Sequence, residues 1–172
     1  GKDYANAVES FAKGYEANPK DSKIALNLAK SYSELGDTTN GFKTYREIIA
    51  LGDGHSQYAE DAAAAKNDLA YYMSLEASKA AEAKDFNGAY AIIESLLKSD
   101  PANAVMHMLL IQTATNQKNW DKIIAGGEAA AAAQTAADLK SDVYFYLGAA
   151  YQNKENKPKA IEAYRKVTSG RN

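Results

Sequence analysis

One position recurs along the chain at intervals close to 34 residues, with one longer interval, and this recurrence limits the fold more than any other feature. The position is held by Ala7, Gly41, Ala89, Ile123 and Ala160, four of which are small residues. Successive members are 34, 48, 34 and 37 residues apart. A period of about 34 residues is typical of repeats made from one helix–turn–helix unit. The sequence therefore predicts a stack of antiparallel helix pairs.

The segments around these positions carry helical patterns with clear ends. Apolar and small residues follow helical spacing within each segment. Asn18-Pro19 and Asp100-Pro101 end two segments, because the residue before a proline is displaced from the α region. Glycines in Leu35-Gly36-Asp37 and Gly52-Asp53-Gly54 mark further breaks. The predicted class is therefore all-α.

The long interval predicts one long helix. It exceeds the others by about four helical turns at 3.6 residues per turn, so the extra length can extend a helix without changing its face. We expect this helix over Gln57–Ala83, which contains no proline or glycine. The predicted organisation is one domain, 1–172, divided into a half repeat 1–21, a repeat 22–55, a helix-extending insertion 56–69, and repeats 70–103, 104–137 and 141–172.

The residue order within each pair resembles the tetratricopeptide repeat family. The family motif places bulky, leucine, small and aromatic residues on the first helix, then small and aromatic residues on the second. The last repeat supplies Tyr144, Leu147, Gly148, Tyr151, Ala160 and Tyr164. The first complete repeat supplies Ala25, Leu28, Ala29, Tyr32, Gly41 and Tyr45. The resemblance implies a right-handed superhelical solenoid of about four and a half repeats.

The third repeat departs from this motif. His107 takes the bulky position, and Gly127 stands where an aromatic residue belongs. A glycine inside a helix costs about 1 kcal/mol relative to alanine, and Gly126 adds a second. We expect another helix to approach closely at this pair, with Ile123 and Ile124 filling the space that Gly127 leaves.

The resemblance also implies a binding groove, because the first helices of tetratricopeptide pairs line a concave face. The residues predicted to line it are Leu26, Lys30, Ser33, Tyr71, Ser74, Ser78, Val105, Met108, Gln112, Asn116, Phe145, Ala149 and Gln152. One subclass of the family grips the C-terminal carboxylate of chaperones with basic and amide side chains. Lys30 is the one basic residue at such places here, which disfavours that role. The mixed groove favours a helix or extended segment of a partner protein, anchored by apolar side chains.

Composition excludes several kinds of function. The net charge of −2 gives no electrostatic basis for binding nucleic acid or an anionic membrane. The chain has no cysteine, which excludes disulfides, thiolate metal sites and cysteine nucleophiles. No run reaches the roughly 18 apolar residues that membrane insertion requires. No metal or other cofactor is predicted.

No catalytic motif is visible. His55 lies in a glycine turn, which predicts a solvated loop residue, and His107 is predicted to lie in the core or the groove. Acidic pairs such as Glu60-Asp61, or Asp138 with Asp142, are expected on solvated helix faces and at caps rather than in acid–base catalysis. The predicted function is therefore non-catalytic.

Two alternatives to a groove-binding scaffold stay open. The first is an assembly segment of a larger bacterial envelope or multi-domain protein, which works through its ends. Uncovered apolar residues near both ends, such as Phe11 and Ile161, would allow end-to-end self-association. The second is a solenoid that binds glycans or small ligands through Tyr71-Tyr72 and Tyr144-Phe145-Tyr146. Tyrosine, lysine and asparagine content and the start without methionine lean towards an exported or periplasmic bacterial protein, and a cytoplasmic one is also compatible.

Overall fold

The structure is a computed structural model that describes residues 2–133 and 137–167. Those residues form nine α-helices and one short 3-10 helix, Ser56–Tyr58, and contain no strand. The α-helices are α1 Lys2–Ala17, α2 Ser22–Leu35, α3 Thr38–Gly52, α4 Ala59–Glu82, α5 Phe86–Ser99, α6 Ala104–Asn116, α7 Trp120–Ala132, α8 Ala137–Asn153 and α9 Lys157–Arg165. The predicted all-α class, built from consecutive helix pairs, is confirmed. We call α2, α4, α6 and α8 the outgoing helices, and α3, α5, α7 and α9 the returning ones.

Every outgoing helix joins its returning partner through the same short turn. A residue with positive φ ends the outgoing helix, and its amide and the next amide donate to carbonyls three and five residues back. This is the Schellman arrangement of a helix C-terminus. The following residue caps the returning helix, because its side chain accepts a hydrogen bond from the backbone amide three residues later. The pairs are Gly36-Asp37, Lys84-Asp85, Lys118-Asn119 and Glu155-Asn156.

The chain forms two compact units, residues 1–72 and 73–172. In the first unit, α2 packs against both α1 and α3. The surroundings of Gly41 explain why a small residue stands at the recurring position in this pair. A Cβ there would lie 2.5 Å from Ser33 Oγ and 3.2 Å from the Ala29 carbonyl oxygen. The glycine therefore lets the backbones of α2 and α3 approach closely.

The long interval of the sequence contains one continuous helix. α4 has 24 residues, Ala59–Glu82, where the sequence predicts a helix over 57–83. Within the first unit, Ala62 packs directly on Gly52 of α3, and Asp61 accepts a hydrogen bond of 2.5 Å from Ser22. The sequence also predicts that residues 56–69 are an insertion relative to the repeat, and this stays a prediction.

In the second unit, each helix from α5 to α9 packs against the next one along the chain. Gly148 of α8 packs directly against the ring of Tyr164 of α9. A Cβ on Gly148 would lie 2.5 Å from the ring atom Cε1 of Tyr164. The small residue of the outgoing helix thus seats the aromatic residue of its returning partner. Buried side chains from α5 to α9 form one core cluster, which includes Ile111, Ile123, Val143, Leu147, Ala150 and Ala160.

Two leucine side chains lie over the glycine pair of α7, Gly126 and Gly127. The side chain of Leu110, on α6, covers Gly126, and the side chain of Leu147, on α8, covers Gly127. The expected close approach is therefore present. The prediction that Ile123 and Ile124 fill the space is wrong, because the nearest atoms to both glycine positions belong to the leucines. At Gly127, where the motif places an aromatic residue, the side chain of Leu147 from the following repeat lies over the glycine instead.

Candidate functional site

An open cleft of about 450 Å³ lies in the second unit, and we call it the α4–α6–α8 cleft. Three successive outgoing helices contribute to it, with α6 in the middle. Its lining consists of Ser74, Ser78, Ala104, Val105, Met108, Leu109, Gln112 and Leu139. None of these side chains carries a formal charge. The cleft is therefore a neutral, largely apolar surface with three polar side chains.

The sequence of α6 explains the apolar character of the cleft. This helix, AVMHMLLIQTATN, has no aspartate, glutamate, lysine or arginine and is apolar around most of its circumference. One side buries Met106, Leu110 and Ile111 in the protein core. The other side places Val105 and Met108 in the cleft, and Val105 is 62% exposed. A surface helix needs one apolar face for folding, so the second apolar face is available for another purpose.

The structure brings together five of the thirteen predicted groove residues, which are Ser74, Ser78, Val105, Met108 and Gln112. Ala104, Leu109 and Leu139 complete the cleft and were not in the predicted set. The sequence could have identified Leu109, since it stands four residues after Val105 and thus on the same helical face. It could not have identified Leu139, because the proximity of that residue depends on how α8 packs beside α6.

The other predicted residues of the second unit lie outside the cleft lining. Phe145 is exposed, and its ring lies 5.9 Å from that of Tyr146 and 6.2 Å from that of Tyr164. Gln152 is exposed and accepts a hydrogen bond of 3.1 Å from the Tyr164 hydroxyl. Asn116 is exposed at the end of α6, and Ala149 is half-buried. Phe145 and Gln152 therefore lie at the contact between α8 and α9.

Four predicted groove residues belong to the first unit. Lys30 and Tyr71 are exposed, and Leu26 is half-buried. Ser33 is half-buried between α2 and α3, where its hydroxyl lies beside Gly41 and donates to the Ala29 carbonyl over 3.0 Å. The hydroxyl of Ser33 thus takes part in the contact within its own helix pair.

The two aromatic runs do not form flat stacking surfaces. Tyr71 and Tyr72 meet edge to face at 72°, and Tyr72 is buried. Phe145 and Tyr146 likewise meet at 79°. Consecutive residues of a helix point about 100° apart, so neighbours in sequence do not present parallel rings to one ligand. This geometry gives no support to a glycan platform within either run.

Tyrosine hydroxyls instead bridge neighbouring helices by donating to carboxylates. Tyr72 donates to Glu34 over 2.6 Å in the first unit, and Tyr151 donates to Glu128 in the second. Burial, and then the bond to Glu128, raises the pKa of Tyr151 to about 12. Lys159 lies over the same ring, 5.1 Å from its centre. These residues border a second cleft of about 310 Å³, whose polar side chains already contact one another.

The two histidines lie in different surroundings in the part of the chain that the structure describes. His107 is buried, with Nε2 2.7 Å from the Pro101 carbonyl oxygen, and His55 is exposed. No group of three or more possible metal ligands occurs among the described residues. The side chain of Asp138 lies outside the described residues. None of the described helices is both long and apolar enough to cross a membrane.

Comparison with known proteins identifies the class. The sequence profile of the tetratricopeptide repeat family matches residues 25–51 and 142–169. These segments contain the first complete repeat and the last repeat, so the resemblance is confirmed at the two places where the motif is clearest. The two matched segments are tetratricopeptide repeats, and they lie in a chain whose described residues form consecutive helix pairs.

Individual proteins add little to this assignment. A search of curated proteins finds no match. Among solved structures, one of MamA AMB-1 is 16% identical, with 96% of this chain and 81% of that chain covered and a TM-score of 0.49. A second structure of MamA has 16% identity, coverage of 96% and 87%, and a TM-score of 0.47. These values say nothing about function.

Proposed function

We propose that the protein is a non-catalytic interaction scaffold that binds a peptide or helix of a partner protein in the α4–α6–α8 cleft. Tetratricopeptide repeats bind protein partners and are typical of scaffolds without enzymatic activity. The observation that carries the proposal is the second apolar face of α6. Val105, Met108 and Leu109 stand on it, although the folding of the helix already uses the opposite face.

Burial of this face supplies the binding energy. Covering one valine, leucine or methionine side chain contributes about 1.5–3 kcal/mol when burial is complete, and Val105 has most of its surface left to bury. An amphipathic helix lays apolar anchors at every third or fourth residue into such a groove. Ser74, Ser78 and Gln112 line the same cleft and supply hydrogen-bonding groups that set the register of the bound segment.

Site-directed crosslinking tests the proposal. A photo-crosslinking amino acid at position 105 should join the protein to one defined segment of a partner in native lysate. The same amino acid at position 35 is the matched control, because Leu35 is also an exposed large apolar residue but lies in the first unit. Equal products from both positions would show nonspecific apolar contact and contradict the proposal.

The crosslinked segment is then synthesised and its affinity measured by titration. Val105→Glu and Met108→Glu should each weaken binding about tenfold or more, because a carboxylate is desolvated without a partner in the neutral cleft. Leu35→Glu should leave the affinity unchanged. Full affinity in the Val105 and Met108 variants, with normal helical content, would place the binding site elsewhere.

A further inference from the structure

Two exposed asparagines are each followed by a glycine, and they differ in their position within a helix. The dipeptides are Asn40-Gly41 in α3 and Asn87-Gly88 in α5. An asparagine before a glycine can lose ammonia, because the glycine amide nitrogen reaches the side-chain amide carbon without hindrance from a Cβ. Both asparagines are exposed, so access to water does not distinguish them. Their hydrogen bonds do distinguish them.

The two helices begin in the same way, which makes the two dipeptides comparable. Asp37 caps α3 and Asp85 caps α5, and the side chain of each accepts the backbone amide three residues later. Asn40 is the third residue of α3, whereas Asn87 is the second residue of α5. This offset of one residue changes the group that holds the amide of the following glycine.

The glycine of the α3 dipeptide is held by the backbone. The amide of Gly41 donates to the Asp37 carbonyl oxygen over 3.0 Å, which is the first hydrogen bond of the helical ladder. The side-chain amide of Asn40 donates to Asp37 Oδ2 over 2.6 Å. Gly41 is also buried, and a Cβ there would lie 3.2 Å from the Ala29 carbonyl oxygen of α2. Attack on Asn40 would therefore break two hydrogen bonds and move packed backbone.

The glycine of the α5 dipeptide is held by a side chain instead. The amide of Gly88 donates to Asp85 Oδ1 over 2.9 Å. The first amides of a helix have no carbonyl partner within it, so loss of this N–H leaves the backbone ladder of α5 unchanged. That ladder begins at Ala89, whose amide donates to the Asp85 carbonyl over 3.0 Å. The side-chain amide of Asn87 has no hydrogen-bond partner among the described residues.

We infer that Asn87 is a site of spontaneous deamidation in the folded protein and that Asn40 is protected. The Gly88 nitrogen bonds to Cγ of Asn87, and ammonia leaves with the proton of the Gly88 amide. Water then opens the cyclic imide at either of its carbonyl groups, which gives aspartate or isoaspartate. Water is the only co-reactant. Asn87 is not part of the α4–α6–α8 cleft, and the inference does not depend on the function proposed for that cleft.

Deamidation changes the first turn of α5 in a defined way, because it adds a negative charge close to the Asp85 cap. An aspartate at position 87 is compatible with the helix, since the N-terminal turn favours negative charge. An isoaspartate carries the main chain through the side-chain carbon. It therefore lengthens the backbone and disturbs the capping arrangement from which the helix starts. The modification thus acts on the turn that joins α4 to α5.

Prolonged incubation of the whole chain at mildly alkaline pH tests this inference. Digestion under acidic conditions, followed by mass spectrometry, measures the conversion of amide to acid at each asparagine. In the folded protein, Asn40 should convert about tenfold more slowly than Asn87 or slower still, because two hydrogen bonds must first break. In urea the two should convert at similar rates. Equal conversion in the folded protein, or an unchanged Asn87 while the unfolded chain converts, would overturn the inference.

Two variants separate helix position from dipeptide sequence. Thr39→Asn combined with Asn40→Gly moves the α3 dipeptide to the helix position of Asn87, and circular dichroism checks that the helices persist. The asparagine introduced at position 39 should then convert about as fast as Asn87, and a rate as low as that of Asn40 would refute the argument from position. Asn87→Gln should abolish the acidic species that accumulates on ion exchange, because glutamine cyclises far more slowly. Persistence of that species would place the modification elsewhere and overturn the inference.

Discussion

Replacement of Gly127 by alanine sets two known effects of opposite sign against each other. Glycine inside a helix costs about 1 kcal/mol relative to alanine, so the change should stabilise α7 by that amount if nothing lay nearby. The structure places Leu147 there, with Cγ and Cδ2 both 2.8 Å from the position of the new methyl group. Because Cγ is involved, Leu147 cannot avoid the contact by moving only its terminal methyl.

The contact should outweigh the gain in helix propensity. Overpacking of a core typically costs 1–3 kcal/mol, and Leu147 is buried in the main cluster of the second unit. After subtraction of about 1 kcal/mol for helix propensity, the net expected loss of stability is up to about 2 kcal/mol. Gly126→Ala is the matched control, because there the close contact is one terminal methyl of Leu110, whose Cγ lies 3.4 Å away. That leucine can rotate, so Gly126→Ala should be neutral or slightly stabilising.

Urea unfolding followed by far-UV circular dichroism measures both changes. Leu147→Ala provides the decisive background: alone it should cost about 2–5 kcal/mol through the cavity it opens. Gly127→Ala introduced into that background should become neutral or stabilising, because the clash is gone and the new methyl fills part of the cavity. Stabilisation by Gly127→Ala in the native background, or the same loss in both backgrounds, would refute the packing argument.

Three further predictions follow from the turns, the tyrosine bridge and the neutral cleft. Glu155 has a φ of 59°, a conformation that glycine adopts more easily than other residues. Glu155→Gly should therefore stabilise the protein by about 1 kcal/mol and raise the melting temperature by up to a few degrees. Gln152→Gly, inside α8, should lower the melting temperature. Tyr151 has a folded pKa of about 12 against an ordinary value of 10, so its stabilising effect is complete below pH 10 and is lost as the pH rises towards 12. Tyr151→Phe should therefore flatten the fall of stability over that range in urea titrations, and an unchanged slope would contradict the assignment. Binding in the cleft should vary little between low and high salt, because its lining is uncharged, and a strong salt dependence by calorimetry would contradict an apolar mode.

The sequence predicted the helices well, because their determinants are local. Spacing of apolar residues, prolines after helix ends and capping residues such as Asp37 and Asn119 all act within a few residues. The recurring position also marks a real contact at Gly41, where the small residue permits close approach of α2 and α3.

The details of packing and of the cleft were less accessible, because they depend on neighbours distant in sequence. A glycine shows that something lies close, but which side chain fills the space above Gly127 depends on the seating of α8. Projection of one helix face also cannot show that Leu139 joins α6 in one cleft, or that the hydroxyl of Ser33 lies beside Gly41. Such facts require the relative placement of helices within each unit.

Because the four turns have the same hydrogen-bond pattern, one helix pair of this chain can replace another without a change in the connecting backbone. Each connection uses the same hydrogen bonds and differs only in side chains, so a turn from one pair fits the geometry of another. Recombination or duplication at these turns would therefore add or exchange whole helix pairs without remodelling the backbone. The chain can in this way acquire new surfaces on its helices while the junctions that set their direction stay the same.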